Sequence, residues 1–258
     1  MRFVQVGIED HVATVRLDRP EALNAISGEF ADELAGALLR AAADPAAWVV
    51  ILAATGDKAF CVGADLKERN QLDDAGWMRN RLLMRAMFDT LRSLPQPTIA
   101  SVFGHALGGG FELALNCDLI VSTEDAVFGL PEVTVGIVPG GGGTQLLPRK
   151  IGAARAKELV LTGRRISGLE AFEMGLVARV VEGNALQKAT SELAREICRS
   201  SPVAVREAKR AIDRGTGVSY DDAIELEDLA WRRAVASEDR HEGIAAFNDK
   251  REPQWKGR

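Results

Sequence analysis

The chain is poor in the residues that most often announce a metal or a nucleophile. Its 258 residues hold three cysteines, Cys61, Cys117 and Cys198, odd in number and far apart. That spacing supports neither a disulfide framework nor a zinc site, and it points to a reducing compartment. There are also only three histidines, His11, His105 and His241, each isolated in the sequence. A histidine-rich metal site and a histidine-based triad are therefore poorly supported, and each histidine reads as a surface or locally bonded one. No apolar run reaches the length of a membrane span. Net charge is −5, which argues against nucleic acid or an anionic membrane as the main partner without forbidding a local basic patch. Met1 leads almost directly into strand-like sequence, with no signal or transit segment ahead of it, so the expected location is the cytoplasm.

What is present is an ordinary folding composition, 47% hydrophobic and 27% charged. It fits one mixed domain with a peripheral extension. Val4, Val6 and Ile8 alternate with other residues, as do Ala13, Val15 and Leu17, with Glu9 and Asp10 between, which predicts an opening hairpin. Ser27 is placed to cap a helix carrying Phe30, Leu34, Ala37, Leu38 and Ala41 at helical spacing. "WVVILAA" at 48–54, "TIASVFG" and "DLIVST" read as strands buried on both faces. Residues 55–70 read as a loop that turns helical. Leu83, Met87, Leu91 and Leu94 predict a further helix ending before Pro95 and Pro97. Strand, loop and helix recur about every fifty residues. From Ala185 onward the pattern is helical, with Leu186, Ala189, Leu193 and Ile197 on one stripe and Ala223, Leu226, Ala230 and Ala234 on another. The expected organisation is an α/β core over 1–195 and a helical region over 196–258.

Two glycine-rich turns stand out, "GHALGGGFELALNC" at 104–117 and "GIVPGGGGTQLLPRKIG" at 136–152. A dinucleotide fingerprint fails at both: Gly108 and Gly110 are followed by Leu113, and Gly140 and Gly142 by Gln145. Neither run leads into a Gly-Lys-Ser/Thr phosphate loop, and no serine sits in a nucleophile elbow. What remains is a glutamate beside each turn, Glu112 and Glu132. A lone glutamate at a helix start is usually there for the helix dipole. Two of them flanked by glycine-rich backbone, in a chain without histidine-based alternatives, point to acid–base work.

"AFCVGADLKE" at 59–68, "GHALGGGFELALNCDL" at 104–119 and "LPEVTVGIVPGGGGTQLLPRKIG" at 130–152 resemble the enoyl-CoA hydratase/isomerase (crotonase) family. The similarity extends from "LDRPEALNAIS" at 17–27 to "SPVAVREAKRAI" and the terminal "GIAAFNDKREPQWKGR". "FCVGADLKER" leans toward methylglutaconyl-CoA hydratases. The resemblance implies a spiral of ββα units, a helical C-terminal part that trimerises, and pairing of trimers into hexamers. It implies a thioester substrate that brings coenzyme A with it, no separate cofactor and no metal. The expected reaction is syn addition of water across the 2,3 double bond of a 2-enoyl-CoA. Methylglutaconyl-CoA hydration in leucine breakdown and enoyl-CoA isomerisation are the alternatives on the same scaffold.

By the same resemblance, the N–H groups of Ala64 and Gly109 form an oxyanion hole, Glu112 activates water, and Glu132 protonates C2. Coenzyme A contacts fall on Ala22 and Leu23, on Ala64, Asp65, Leu66 and Lys67, and on Gly109. Phe247 and Lys250 would complete a neighbouring subunit's site. A single-acid isomerase keeps one of the two glutamates, and a dienoyl isomerase places a third acid where this chain has Gly140. Both comparisons favour hydration. RNA binding is the alternative from another class. Arg69, Arg79, Arg81, Arg85 and Arg92 crowd one region, but Asp73, Asp74 and Asp89 dilute it, and a solvated charged face is the simpler reading.

Overall fold

The computed structural model describes residues 2–258. β1 (Val4–Glu9) and β2 (Val12–Leu17) form the expected antiparallel hairpin, turned at Asp10 and His11, both with positive φ. α1 (Gly28–Ala43) follows, and the Ser27 hydroxyl accepts a hydrogen bond from Phe30 N at 3.2 Å. That cap satisfies one of the N–H groups a first turn leaves without a partner. The predicted stripe from Phe30 to Ala41 is buried. The helix ends at Asp44, whose backbone is extended because a proline follows it.

Three strand–strand–helix units come next. The first contains β3 (Val49–Ala54), β4 (Ala59–Cys61), the short α2 (Leu66–Arg69) and the long α3 (Asp74–Arg92). The second contains β5 (Thr98–Val102), β6 (His105–Leu107) and α4 (Gly109–Asn116). The third contains β7 (Leu119–Thr123), β8 (Val127–Gly129), a 3₁₀ turn at Pro131–Val135 and α5 (Gly143–Ile151). α6 (Ala153–Thr162), β9 (Arg165–Ser167), α7 (Gly168–Glu173) and β10 (Arg179–Val181) close the core. The first strand of each unit joins a six-stranded sheet ordered β1-β2-β3-β5-β7-β10, parallel from β2 onward. The second strand of each joins a four-stranded sheet ordered β4-β6-β8-β9. A spiral of ββα units is therefore the observed architecture.

The fifty-residue recurrence needs correction. The first strands begin at positions 49, 98 and 119, so the first interval is 49 residues and the second only 21. The long α3 fills the first interval. The segment expected as loop at 55–70 also holds β4, a strand too short to show a period. On α3 the buried stripe is Met84, Met87, Phe88 and Leu91, whereas Leu83 is 39% exposed.

The parallel strands are apolar on both faces because both faces are covered. Val50 and Leu52 of β3 point into the main core with Phe30, Phe60, Phe111 and Phe128. Val49 and Ile51 of the same strand point the other way, against Leu186, Ala189 and Ala194 of α8 (Leu186–Cys198). Helix α8 runs through position 195, so the boundary drawn at 195/196 falls inside an element that packs on the sheet.

α9 (Pro202–Gly215), α10 (Tyr220–Val235) and α11 (Glu238–Asp249) complete the chain. Of the predicted α10 stripe only Ala230 is fully buried, while Ile224, Leu229 and Trp231 are exposed. The tail returns to the helices: Trp255 Nε1 donates to Arg199 O at 2.8 Å, and Arg206 Nη2 donates to Gly257 O at 2.9 Å. No helix among the described residues is long and apolar enough to cross a membrane.

Candidate active site

The two glycine-rich turns and the loop after β4 meet at one cavity of about 540 Å³. Gly108, with φ 53° and ψ −126°, turns the chain from β6 into α4 through a conformation that side chains disfavour. Gly110 lies against β4 so tightly that an added Cβ would sit 1.9 Å from Cys61 O. Between them, Gly109 opens α4, and a first-turn N–H has no intrahelical acceptor. A Cβ added to Gly109 would be 3.8 Å from Ala64 N, so the two backbone amides are close neighbours.

Ala64 is presented by a short parallel bridge. Ile26 N donates to Gly63 O at 2.8 Å, and Asp65 N donates to Ile26 O at 2.9 Å. Ile26 thereby bonds both neighbours of Ala64 and leaves the Ala64 N–H directed away. Among the described residues neither the Ala64 nor the Gly109 N–H has an acceptor. Two free N–H groups side by side at a cavity wall, one at a helix N-terminus, can hold a developing oxyanion.

Glu112 projects from the first turn of α4 and is 3% exposed. Its Oε1 accepts from Gly141 N at 2.6 Å and from Gly143 N at 2.8 Å. Burial raises its pKa, and the Gly143 and Gly141 amides and the Arg81 charge hold back part of that rise. Asn116, one turn further along α4, donates to Glu112 O and to Gly141 O, both at 2.7 Å. The second glycine turn is thus tied to α4 at both the glutamate and the asparagine.

Glu132 comes from the 3₁₀ turn after β8 and approaches from the other glycine turn. A Cβ on Gly108 would lie 3.1 Å from its Oε1. Its Oε2 is buried without a partner. Burial pushes its pKa up to about 7; its own backbone N–H opposes the rise, Glu112 adds to it, and Arg69 opposes it. The two carboxyls therefore differ in their surroundings, Glu112 held by two amides of the second glycine turn and Glu132 with one oxygen unpartnered. That division suits a base and an acid working together.

Trp77, Arg81, Met84 and Phe88 of α3 line the opposite wall at spacings of four, three and four, which is one helical face. Phe88 reaches the floor beside Gly141 and Gly109. Arg69 crosses over Trp77, with its Cζ 5.1 Å from the ring centroid, and its Nε donates to Asn80 Oδ1 at 3.3 Å. The arginines that crowd this stretch of sequence are dispersed in space. Arg69 and Arg81 turn to the cavity, while Arg85 and Arg92 both pair with Asp89.

The remaining expected contact residues fall around and away from the cavity. Leu66 lines it and is 56% exposed, and Lys67 is exposed beside it. Asp65 pairs with Arg19 at 2.8 Å and caps α2 through Lys67 N and Glu68 N. Ala22 ends a 3₁₀ turn, and Leu23 O accepts from Val62 N at 3.2 Å, which places this loop against the strand leading to Ala64. Phe247 is 84% exposed on α11, and Lys250 closes that helix in a left-handed conformation; neither lines the cavity. Asn116, Trp77 and the two cavity arginines were not expected at the site. Asn116 had a signal, its placement four residues after Glu112. The others had none, because their partners are distant in sequence. The histidines remain scattered: His11 stacks on Trp48 and His241 is exposed, but His105 has a buried Nδ1 without a partner, contrary to the expectation of local bonding. No cluster of three metal-ligating groups occurs among the described residues.

This arrangement of paired glutamates and paired amides on a ββα spiral defines a class, and comparison with known proteins agrees. Residues 7–258 match the family model described as enoyl-CoA hydratase/isomerase. The chain belongs to that family. A crystal structure of enoyl-CoA hydratase from Bacillus anthracis superposes with a TM-score of 0.97 at 42% identity, covering 99% of this chain and 100% of that one. Enoyl-CoA hydratase domain-containing protein 2, mitochondrial, of Homo sapiens is 43% identical over 98% of this chain and 88% of its own length. Methylglutaconyl-CoA hydratase, mitochondrial, of Rattus norvegicus is 38% identical over 95% of this chain and 79% of its own length. Enzymes of this family act on acyl-CoA thioesters.

Proposed function

We propose that the chain is an enoyl-CoA hydratase, a hydro-lyase that adds water syn across the 2,3 double bond of a 2-enoyl-CoA to give the 3-hydroxyacyl-CoA. The observation that carries this reading is the pair of carboxyls with different surroundings, Glu112 held by two amides and Glu132 with its buried Oε2 unpartnered, beside two free N–H groups. The thioester oxygen sits between Ala64 N and Gly109 N. Water lies between the two carboxyls. Glu112 takes one of its protons while the oxygen attacks C3, and the electrons of the double bond move onto the thioester oxygen as an enolate. Glu132 then delivers its proton to C2, and transfer of a proton from Glu112 to Glu132 resets the pair. Each oxyanion donor is worth about 3–4 kcal/mol of barrier in such sites.

Coenzyme A enters as part of the substrate, with its contacts proposed at Ala22, Leu23, Asp65, Leu66 and Lys67. The exposed apolar side chains Ile212, Ile224, Leu229 and Trp231 support a homotrimer, paired into a hexamer, with Phe247 and Lys250 reaching a neighbour's site. Isomerisation is the lesser reading, since it needs one carboxyl and two are in place. The test is loss of the conjugated-thioester absorbance of crotonyl-CoA. Glu112→Gln and Glu132→Gln should each lower kcat by roughly 10²–10⁴-fold while the protein stays folded. Full activity in either variant overturns the assignment.

A further inference from the structure

Asn116 bonds more than its place in the chain asks of it. It is the last residue of α4 and is 5% exposed. Closing a helix calls for a donor to a last-turn carbonyl, and Asn116 Nδ2 supplies one to Glu112 O at 2.7 Å. The same Nδ2 also donates to Gly141 O at 2.7 Å, 25 positions further along the chain. Its Oδ1 accepts from Arg92 Nη1 at 3.2 Å, and that guanidinium also pairs with Asp89. The arginine fixes which way the amide points. With a cation on the oxygen side, the two N–H donors face the two carbonyls.

Gly141 O belongs to the middle peptide of the second glycine turn. The peptides on either side carry the Gly141 and Gly143 N–H groups that hold Glu112 Oε1 at 2.6 and 2.8 Å. The turn is four consecutive glycines, 140–143, with Gly142 at φ 114°. Such a segment has no side chains of its own to hold it, and rotation of the rigid middle peptide swings both flanking N–H groups. Phe88 packs against Gly141, but an aromatic ring does not fix the direction of a peptide. The polar grip on the middle peptide is Asn116. One amide thus bonds both the helix that carries Glu112 and the turn that receives it. The charged groups facing Glu112 are Arg81 of α3, Arg69 at the end of α2, and Glu132, while α5 brings the uncharged Thr144 and Gln145 to the cavity. A change at Asn116 leaves all of these charges in place.

We infer that Asn116 is a positioning residue for water activation: through the second glycine turn it keeps the Gly141 and Gly143 N–H groups on Glu112, so that Glu112 remains the base of the pair. The inference rests on the hydration reading. Asn116→Ala removes both donors. With the turn released, Glu112 loses amide bonds to its charged form, its pKa rises further, and the protonated, inactive base persists to higher pH. The acidic limb of kcat/KM for crotonyl-CoA should move up by about one pH unit, with kcat at the acid end lowered by about tenfold and KM changed by less than about twofold. A side chain with a packing role alone would lower the melting temperature and scale the rate by one factor at every pH, and that result overturns the inference. An unchanged rate overturns it too. Arg92→Met keeps Asn116 but frees its amide to turn over, and it alters a half-exposed side chain, so it also serves if Asn116→Ala does not fold. It should move the same limb in the same direction by about half a pH unit. A limb that stays in place in Arg92→Met overturns the inference. The carboxyl ¹³C signal of Glu112, assigned by its loss in Glu112→Gln, reads the effect without turnover. Its titration midpoint should be about one pH unit higher in Asn116→Ala, and equal midpoints refute the positioning role. A raised midpoint in a protein that does not hydrate crotonyl-CoA sustains the grip of Asn116 on Glu112 and removes the hydratase reading alone.

Discussion

Replacing Glu132 by glutamine should make the protein more stable, and increasingly so as pH rises. In the folded chain burial lifts the Glu132 pKa from 4.5 to about 7. The unfolded chain has the ordinary value. Below that value the side chain is protonated in both states and linkage contributes nothing against folding. Between about 4.5 and 7 the unfolded form releases the proton and the folded form keeps it, so the folded state loses stability as pH rises, and above about 7 the loss is complete. The rise corresponds to about 3.4 kcal/mol at ~1.36 kcal/mol per unit. The side chain opens partly to the cavity, so solvent screening reduces this to about 2 kcal/mol. Glutamine does not titrate and has nearly the same shape. Urea unfolding of the wild type and Glu132→Gln at about pH 4.5 and about pH 8.5 should show the variant's advantage growing by about 2 kcal/mol across that span. A difference that is flat with pH, or that shrinks, would refute the placement of Glu132 as a bare, desolvated carboxyl. The same shift predicts that kcat/KM with crotonyl-CoA falls above about pH 7 as the acid loses its proton.

Two further substitutions test the scaffold. Gly110→Ala puts a methyl 1.9 Å from Cys61 O, a backbone atom that cannot step aside, and should cost about 3 kcal/mol or more or prevent folding. A melting curve like the wild type's would contradict that packing. Lys209 Nζ lies 2.5 Å from Asp118 Oδ2, which also accepts from Thr98 N and Thr98 Oγ1, tying α9 to β5. Lys209→Ala leaves that carboxylate largely buried without its cation and should cost on the order of 2–3 kcal/mol, read by urea unfolding; a loss below about 0.5 kcal/mol would mean solvent replaces the lysine.

Much of this protein was legible in the chain because its signals are local. The α1 stripe, its Ser27 cap and the apolar runs of β3, β5 and β7 follow from periodicity and from burial on both strand faces. Glu112 and Glu132 were legible because each abuts a glycine-rich turn, and the motif order carried the family. The short strands β4, β6 and β8 were not, because three residues cannot show a period and only their pairing in the second sheet makes them strands. Leu83 was misplaced on the α3 stripe because a one-residue rotation decides which side of a helix faces the core, and that is set by what packs there.

The glycines, the two carboxyls and the longer helices and strands can be read from the chain alone, since these depend on backbone freedom and on nearest neighbours. That Ala64 and Gly109, 45 positions apart, present free amides to one cavity is a product of the fold. The fold likewise sets Glu112 against two amides, leaves Glu132 Oε2 buried without a partner, and turns Arg69 and Arg81 out of the basic run toward the cavity. The physical reason is that desolvation and hydrogen-bond satisfaction depend on what the rest of the fold brings alongside a group.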